Sequence, residues 1–272
     1  NHIDEISAVV NKVLGIFAKP FVIQGNEIYI SASAGVTVMA FDETNAEDLV
    51  KNADTAMFKA KEAGGNTFKF FTAEMNTQIV ARLNMENALR KAVKNDELKL
   101  YYQPKIDIKT GKLTGMEALL RWDYQGMGAV SPVVFVPLLE ETGLIVPVGE
   151  WVLEKACREA NKWNDKYAQS LCISINLSVR QLLQKDLTER FQAIINKSKI
   201  DPSLVELEIT EGTLVENVDS TIHTLKIFHD LGVRISIDDF GTGYSSLSYL
   251  KKFPINTLKI DRSFVKDITV DK

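Results

Sequence analysis

The chain has 272 residues, 45% apolar and 25% charged, with 32 basic and 36 acidic side chains and a net charge of −4. That length suits one large domain or two modest ones, and the average composition excludes disordered, collagen-like and coiled-coil classes. An acidic chain lacks the basic footprint of a protein that coats a nucleic-acid polymer, so an anionic ligand would have to be met by cations or metal placed locally.

The first 75 residues read as one piece. Apolar residues at helical spacing (Ile6, Val9, Val10, Val13, Leu14, Phe17) predict an opening helix. Two strands follow, FVIQG and NEIYISASAGVTV, with Gly25-Asn26 as the hairpin turn signal. AEDLVKNADTAMFKAKEAGG predicts a second helix, stopped by Gly64-Gly65, and FKFF a short strand. A polar helix from about Glu74 to Lys94 serves as a connector. The expected domains are therefore 1–75, a connector over 76–97, and 98–272.

From Leu98 strand-like runs alternate with helix-like segments. The runs are LKLYYQP, KLTGMEALLRW, SLCISINLS, LVELEITE, VRISIDDF and NTLKID. The first two flank a hairpin-type turn at 107–112. The later four are separated by helices such as LTERFQAIINKS and VDSTIHTLKIFHDLG. Apolar strands joined by helices predict an α/β fold with a parallel sheet.

Each run ends in a polar group: Glu117, Asn176, Glu208 with Glu211, Asp238 with Asp239, and Lys259 with Asp261. The intervals 117→176→208→238→259 are 59, 32, 30 and 21 residues, and the last three suit single strand–helix units. In a (β/α) barrel such strand ends gather on the rim that holds the active site. Clustered carboxylates repel and need a cation. An all-oxygen set selects Mg²⁺ or Mn²⁺, with Ca²⁺ as a further option. Two adjacent aspartates among five oxygen ligands suffice for two ions, which could clamp a phosphodiester during in-line displacement. The bland alternative is a set of solvent-facing strand caps.

Other residues carry less. Cys157 and Cys172 read as buried thiols of a cytoplasmic protein rather than a disulfide. His2, His223 and His229 have no zinc-like spacing and suit helix surfaces. No run approaches 18 apolar residues, and the N-terminal residues do not form a secretory signal.

The same residues carry a family resemblance. MEALLRW (116–122), SINLS (174–178), ELEITE (206–211), IDDFGTGYSSL (237–247) and LKIDRSF (258–264) closely resemble the EAL domain, the cyclic di-GMP phosphodiesterases of bacterial signalling. YYQP, SPVVFVPLLEETGLI and GEWVLEKAC fit the same pattern. The match runs from about residue 84 onward. It implies a TIM-like barrel and hydrolysis of cyclic di-GMP to linear pGpG with Mg²⁺ or Mn²⁺ in a two-ion site. Glu117, Asn176, Glu208, Asp238 and Asp239 would be metal ligands, and Lys259 would orient the hydrolytic water or assist its deprotonation. Glu211 would brace the loop whose Gly241 and Gly243 permit a tight turn. Gln103, Leu119 and Arg121 would contact the ligand, Arg121 as a phosphate fork. A homodimer through this domain fits the resemblance, as does membrane anchoring of a parent protein from its cytoplasmic side.

Residues 1–75 resemble the C-terminal part of an α+β GGDEF domain, on SASAGVTV and NADTAMFKAKEAGGNTFKFF. Phe58 replaces the family's tyrosine and Gly65 its phosphate-binding arginine, while Lys61 is kept. The GGDEF motif itself is absent, which opposes a cyclase and leaves a regulatory or dimerising neighbour. Six strands are identifiable where a barrel needs eight, and the family's last two carry a further glutamate and glutamine. The expectation is therefore an EAL barrel incomplete at its C-terminus and inactive as a fragment. A receptor that binds cyclic di-GMP without cutting it is the alternative. Every checkable ligand is present, and that favours catalysis.

Overall fold

The chain divides into two compact units, Asn1–Met85 and Glu86–Lys272. The computed structural model describes residues 2–38, 45–92, 94–95, 97–124, 128–214, 218–241 and 251–266.

In the first unit the periodic N-terminal run forms α1 (His2–Gly15). β1 (Phe21–Ile23) and β2 (Asn26–Ile28) make an antiparallel hairpin. Its turn is Gln24-Gly25, one position before the Gly25-Asn26 signal. A primed two-residue turn needs φ above zero at both centres, and these residues have φ 51° and 85°. Asn26 instead opens the strand, opposite Ile23. The long strand expected over 26–38 is broken. After β2 the chain leaves the hairpin, and β3 (Ala34–Val36) runs parallel to β4 (Phe68–Phe70). Between β3 and β4 lies α2 (Ala46–Glu62), where the Asn45 side chain caps the N-terminus by accepting from Glu47 N at 3.0 Å. It stops at Gly64 and Gly65, with φ 102° and 69°. α3 (Ala73–Ala92) is a helix in the stretch expected to connect the domains, and the two units divide within it, between Met85 and Glu86.

Gly35 explains how closely β3 and α2 pack. A Cβ there would lie 1.8 Å from the Ala53 carbonyl oxygen and 2.3 Å from Met57 N, both backbone. Gly35→Ala is thus expected to force the helix off the sheet and destabilise this unit by about 1–3 kcal/mol. Urea unfolding checks this, and an unchanged midpoint would show that the contact is not tight.

In the second unit β5 (Leu98–Ile106) and β6 (Leu113–Tyr124) pair antiparallel across the expected turn. There Asp107 Oδ1 accepts from Thr110 N at 2.7 Å. β7 (Gly128–Val130) adds to β6, a strand too short for the sequence pattern to reveal. Two helices follow, α4 (Pro132–Thr142) and α5 (Ile145–Tyr167). Then come β8 (Cys172–Asn176), α6 (Val179–Leu182), α7 (Leu187–Ser198), β9 (Val205–Thr210), α8 (Val218–Asp230), β10 (Arg234–Phe240) and β11 (Thr257–Ile260). The strand order is β11-β10-β9-β8-β6-β5, with every pairing from β6 to β11 parallel. This is the α/β architecture expected from the strand–helix alternation.

Strand parity sorts the two faces. Val205, Leu207 and Ile209 of β9, Ile173 and Ile175 of β8, and Ile235 and Ile237 of β10 are buried. The core also holds Phe191 of α7 and Phe228 of α8, 5.8 Å apart between ring centroids. The opposite parity carries the polar residues. These strands therefore alternate rather than being apolar throughout.

The sheet is strongly curled. β6 and β11 are separated by three strands, a flat distance of about 19 Å at ~4.8 Å per step. Yet Lys259 of β11 hydrogen-bonds Glu117 of β6.

Cys157 is fully buried on α5, and its thiol is pushed up to about 12 by burial. Cys172 is only partly buried, a correction to the expectation, though burial still raises its thiol to about 11. His223 and His229 are exposed on α8. No single helix among the described residues is long and apolar enough to cross a membrane.

Candidate active site

The polar parity of five strands converges on one point. Glu117 lies in the middle of β6, Glu208 within β9, Asp238 within β10 and Lys259 within β11. The strands continue past these residues, so the cluster sits inside the mouth of the curled sheet rather than at the strand tips. Lys259 Nζ donates to Glu117 Oε2 at 3.1 Å, Glu208 Oε2 at 2.5 Å and Asp238 Oδ2 at 2.9 Å. Asn176, at the end of β8, donates from Nδ2 to Glu117 Oε1 at 3.0 Å.

One carboxylate oxygen from each of Glu117, Glu208 and Asp238 lies within 4.8 Å of the others. Trans ligands on an octahedral Mg²⁺ stand about 4.2 Å apart, at ~2.1 Å per bond. The group is thus close to the span of a hard divalent ion. Lys259 places positive charge among these carboxylates. Burial works against that charge, but the bonds from Glu208 and Asp238 prevail and hold its ammonium above the usual lysine range. Glu208 is buried, and burial raises its carboxyl despite the lysines on both sides.

Asp239 follows Asp238 and is not one of the three grouped carboxylates. Its backbone is left-handed, φ 53°, a region that aspartate tolerates better than most residues. It lies where the β10–β11 register shifts between Ile237 and Phe240, and such bulges re-aim side chains. Burial, then the neighbouring Asp238 and Asp261, raise its carboxyl. Glu211 is buried and accepts from Gly241 N at 2.9 Å. Gly241 has φ 103°, and a Cβ there would lie 2.7 Å from the Phe264 ring. Gly243 lies outside the described residues.

The ligand-contact candidates line the same inner face. Gln103 is exposed on β5, directly opposite Glu117. Leu119 and Arg121 border a cavity of about 330 Å³ that also touches Asn176, Glu208 and Thr210. Arg121 Nη1 donates to its neighbour's carbonyl, Leu120 O, at 2.8 Å, and the guanidinium lies 5.8 Å from the Tyr101 ring. In the first unit Lys61 is exposed, and Phe58 carries the Arg82 guanidinium 5.9 Å above its ring.

A second polar layer was missed in the sequence. Ser174, Glu206, Ser236 and Thr257 each precede a site residue by two positions. Period-two alternation therefore puts them on the same face, one step deeper. Lys105 of β5 reaches into this layer. Its Nζ donates to Glu206 Oε1 at 2.8 Å, Glu208 Oε1 at 2.7 Å and Ser174 Oγ. Counting back two residues from Asn176, Glu208, Asp238 and Lys259 finds every member except Lys105.

A curled α/β sheet with helices on one face and an acidic cluster around Lys259 on the other defines a barrel-type domain. The chain belongs to the EAL domain family, whose model matches residues 86–272, and residues 1–67 match the diguanylate cyclase GGDEF domain. Among similar proteins is the bifunctional diguanylate cyclase/cyclic di-GMP phosphodiesterase MucR of Pseudomonas aeruginosa, 39% identical across 98% of this chain and 39% of its own length. The cyclic di-GMP phosphodiesterase PdeR of Escherichia coli is 37% identical across 97% of this chain and 40% of its length. The solved PaMucR phosphodiesterase in complex with c-di-GMP is 42% identical with a TM-score of 0.66, covering 69% of this chain and 76% of that one. The chain spans about two-fifths of these curated relatives.

Proposed function

We propose that the EAL unit hydrolyses cyclic di-GMP to linear pGpG with Mg²⁺ or Mn²⁺, and that the GGDEF unit is its regulatory neighbour. The observation that carries this reading is the meeting of Glu117, Glu208 and Asp238 within 4.8 Å, beside a cavity bordered by Leu119 and Arg121. Those three carboxylates, with Asn176 and Asp239, would hold the ions. The ions supply Lewis-acid stabilisation of the phosphoryl charge and a nucleophilic water at neutral pH. Gln103, Leu119 and Arg121 position the dinucleotide, Arg121 by exchanging its bond to the Leu120 carbonyl for a phosphate. Lys259 orients the attacking water as a charged donor, the protonation that its three carboxylate partners favour. Glu211 fixes the backbone after Asp239 through Gly241 N.

The Lys259 ammonium among the acids favours a second reading, in which the site is stable without metal and the unit is a receptor. One assay, run on the complete parent protein, separates the two: incubate it with cyclic di-GMP in Mn²⁺ or in EDTA and follow the products by anion-exchange chromatography. Conversion to pGpG is expected with Mn²⁺ only, and Asp239→Asn, which removes a ligand charge, is expected to abolish it with the fold intact. Binding without conversion at saturating Mn²⁺ would overturn the hydrolase in favour of the receptor. Near-normal turnover by Asp239→Asn would remove that residue from the site.

A further inference from the structure

Glu208 is held from both sides. Lys259 takes Oε2 together with Glu117 Oε2 and Asp238 Oδ2, and Lys105 takes Oε1 from the layer below. The two lysines are not equivalent. Among the described residues Lys259 donates to Glu117, Glu208 and Asp238. Lys105 is itself tethered, because Glu206 Oε1 also accepts from it at 2.8 Å, and Ser174 Oγ accepts as well. Glu206 is fixed in turn. Ser174 Oγ donates to Oε1 at 2.8 Å, Thr257 Oγ1 donates to Oε2 at 2.9 Å, and Arg234 Nε stands 3.7 Å from Oε2. The side chains of Glu206 and Glu208 are 6% and 0% exposed, so water is a poor substitute for these partners. The chain of contacts runs Thr257–Glu206–Lys105–Glu208 across β11, β9 and β5.

Resting on the hydrolase reading, we propose that Lys105, anchored by Glu206, is a positioning residue that locks the Glu208 carboxylate with Oε1 turned down and Oε2 presented to the metal. Lys105 touches neither substrate nor reacting atoms. It acts by sparing the ion the work of ordering Glu208. Outer contacts of this kind usually set metal affinity by about 10–100-fold.

The test must separate positioning from charge, since deleting a lysine alone also makes the site more negative. The double variant Lys105→Met with Glu206→Gln removes one charge of each sign. Mn²⁺ affinity, read by electron paramagnetic resonance on the folded protein, is expected to weaken about 10–100-fold. Turnover is expected to be restored by excess Mn²⁺, because Glu208 still binds once ordered by the ion. Lys105→Arg keeps the charge but replaces a point donor with a planar fork, and is expected to weaken Mn²⁺ by a smaller factor. Wild-type Mn²⁺ affinity in the double variant, or in Lys105→Arg should the double variant not fold, would overturn the proposal. A wild type that binds no Mn²⁺ would overturn the hydrolase reading itself, and this inference with it.

Discussion

Lys259→Met is expected to abolish turnover of cyclic di-GMP while tightening Mn²⁺. The ammonium lies 2.5–3.1 Å from the three oxygens best placed to bind an ion, so lysine and metal compete for one position. Two unit charges 4 Å apart repel by about 4 kcal/mol at an effective dielectric of 20, and a divalent ion doubles this to about 8 kcal/mol. An ion held by these carboxylates would require Lys259 to move aside, and removing the lysine would delete that penalty. Turnover falls for a separate reason: the water loses its positioned donor, a contribution of about 10²–10⁴-fold for groups that handle protons. Without metal the variant leaves three carboxylates facing each other and should melt earlier than wild type. Saturating Mn²⁺ should then raise its melting temperature more than it raises that of the wild type, because binding to the native state alone adds about 2.7 kcal/mol at one hundred times Kd. Isothermal titration and thermal melting check both halves. Equal or weaker Mn²⁺ binding than wild type would show that Lys259 does not occupy the ion's position.

Much of this site was legible because polar residues interrupt apolar strands. An acid within LEITE or ISIDDF has no reason to sit in a core strand unless its face is functional, and Asn176, Glu208, Asp238 and Lys259 stand out on that ground. Depth was harder to read. The sequence pattern puts Glu117 at a strand end, but β6 continues to Tyr124, because the antiparallel partners β5 and β7 extend it on both sides. Lys105 was invisible for a different reason. It sits on β5, which like the short β7 runs antiparallel to the other strands, so its place near the C-terminus of β5 lies below the level of Glu117 rather than at the rim. The bulge at Asp239 was equally hidden, since a left-handed aspartate leaves no trace in a hydrophobic pattern. In the first unit the turn moved by one residue. Gly25 was the right signal, but a primed turn also needs the residue beside it, and Gln24 took the second positive φ where Asn26 was expected.

Glu208→Gln is expected to reduce turnover by at least about 10³-fold and to remove most Mn²⁺ binding. The substitution keeps size and shape, so the effect is one of charge and hydrogen-bond polarity. Glu208 accepts on both oxygens, from Lys105 and Lys259. A glutamine must aim its NH₂ at one of these ammonium groups, donor against donor, and it offers the ion no negative charge. Losing about 4 kcal/mol of transition-state stabilisation, within the several kcal/mol a bound metal supplies, corresponds to roughly 10³-fold in rate. Stability should also fall, but by less than the 3–5 kcal/mol typical when a buried pair loses one partner. Both lysines keep some exposure, 29% and 24% of their side chains, and can turn toward water. The wild type also has a pH signature. Burial holds the Glu208 carboxyl above its ordinary range, so protons compete with the ion at a higher pH than at a solvated carboxylate. Mn²⁺ affinity is then expected to fall as pH drops through that raised value and to be regained above it. In Glu208→Gln that step should vanish along with the affinity. Circular dichroism establishes that the variant is folded, and Mn²⁺ titrations across pH read the rest. Turnover within tenfold of wild type in a folded Glu208→Gln protein would show that the buried acid is a structural counter-ion to two lysines and takes no part in the chemistry.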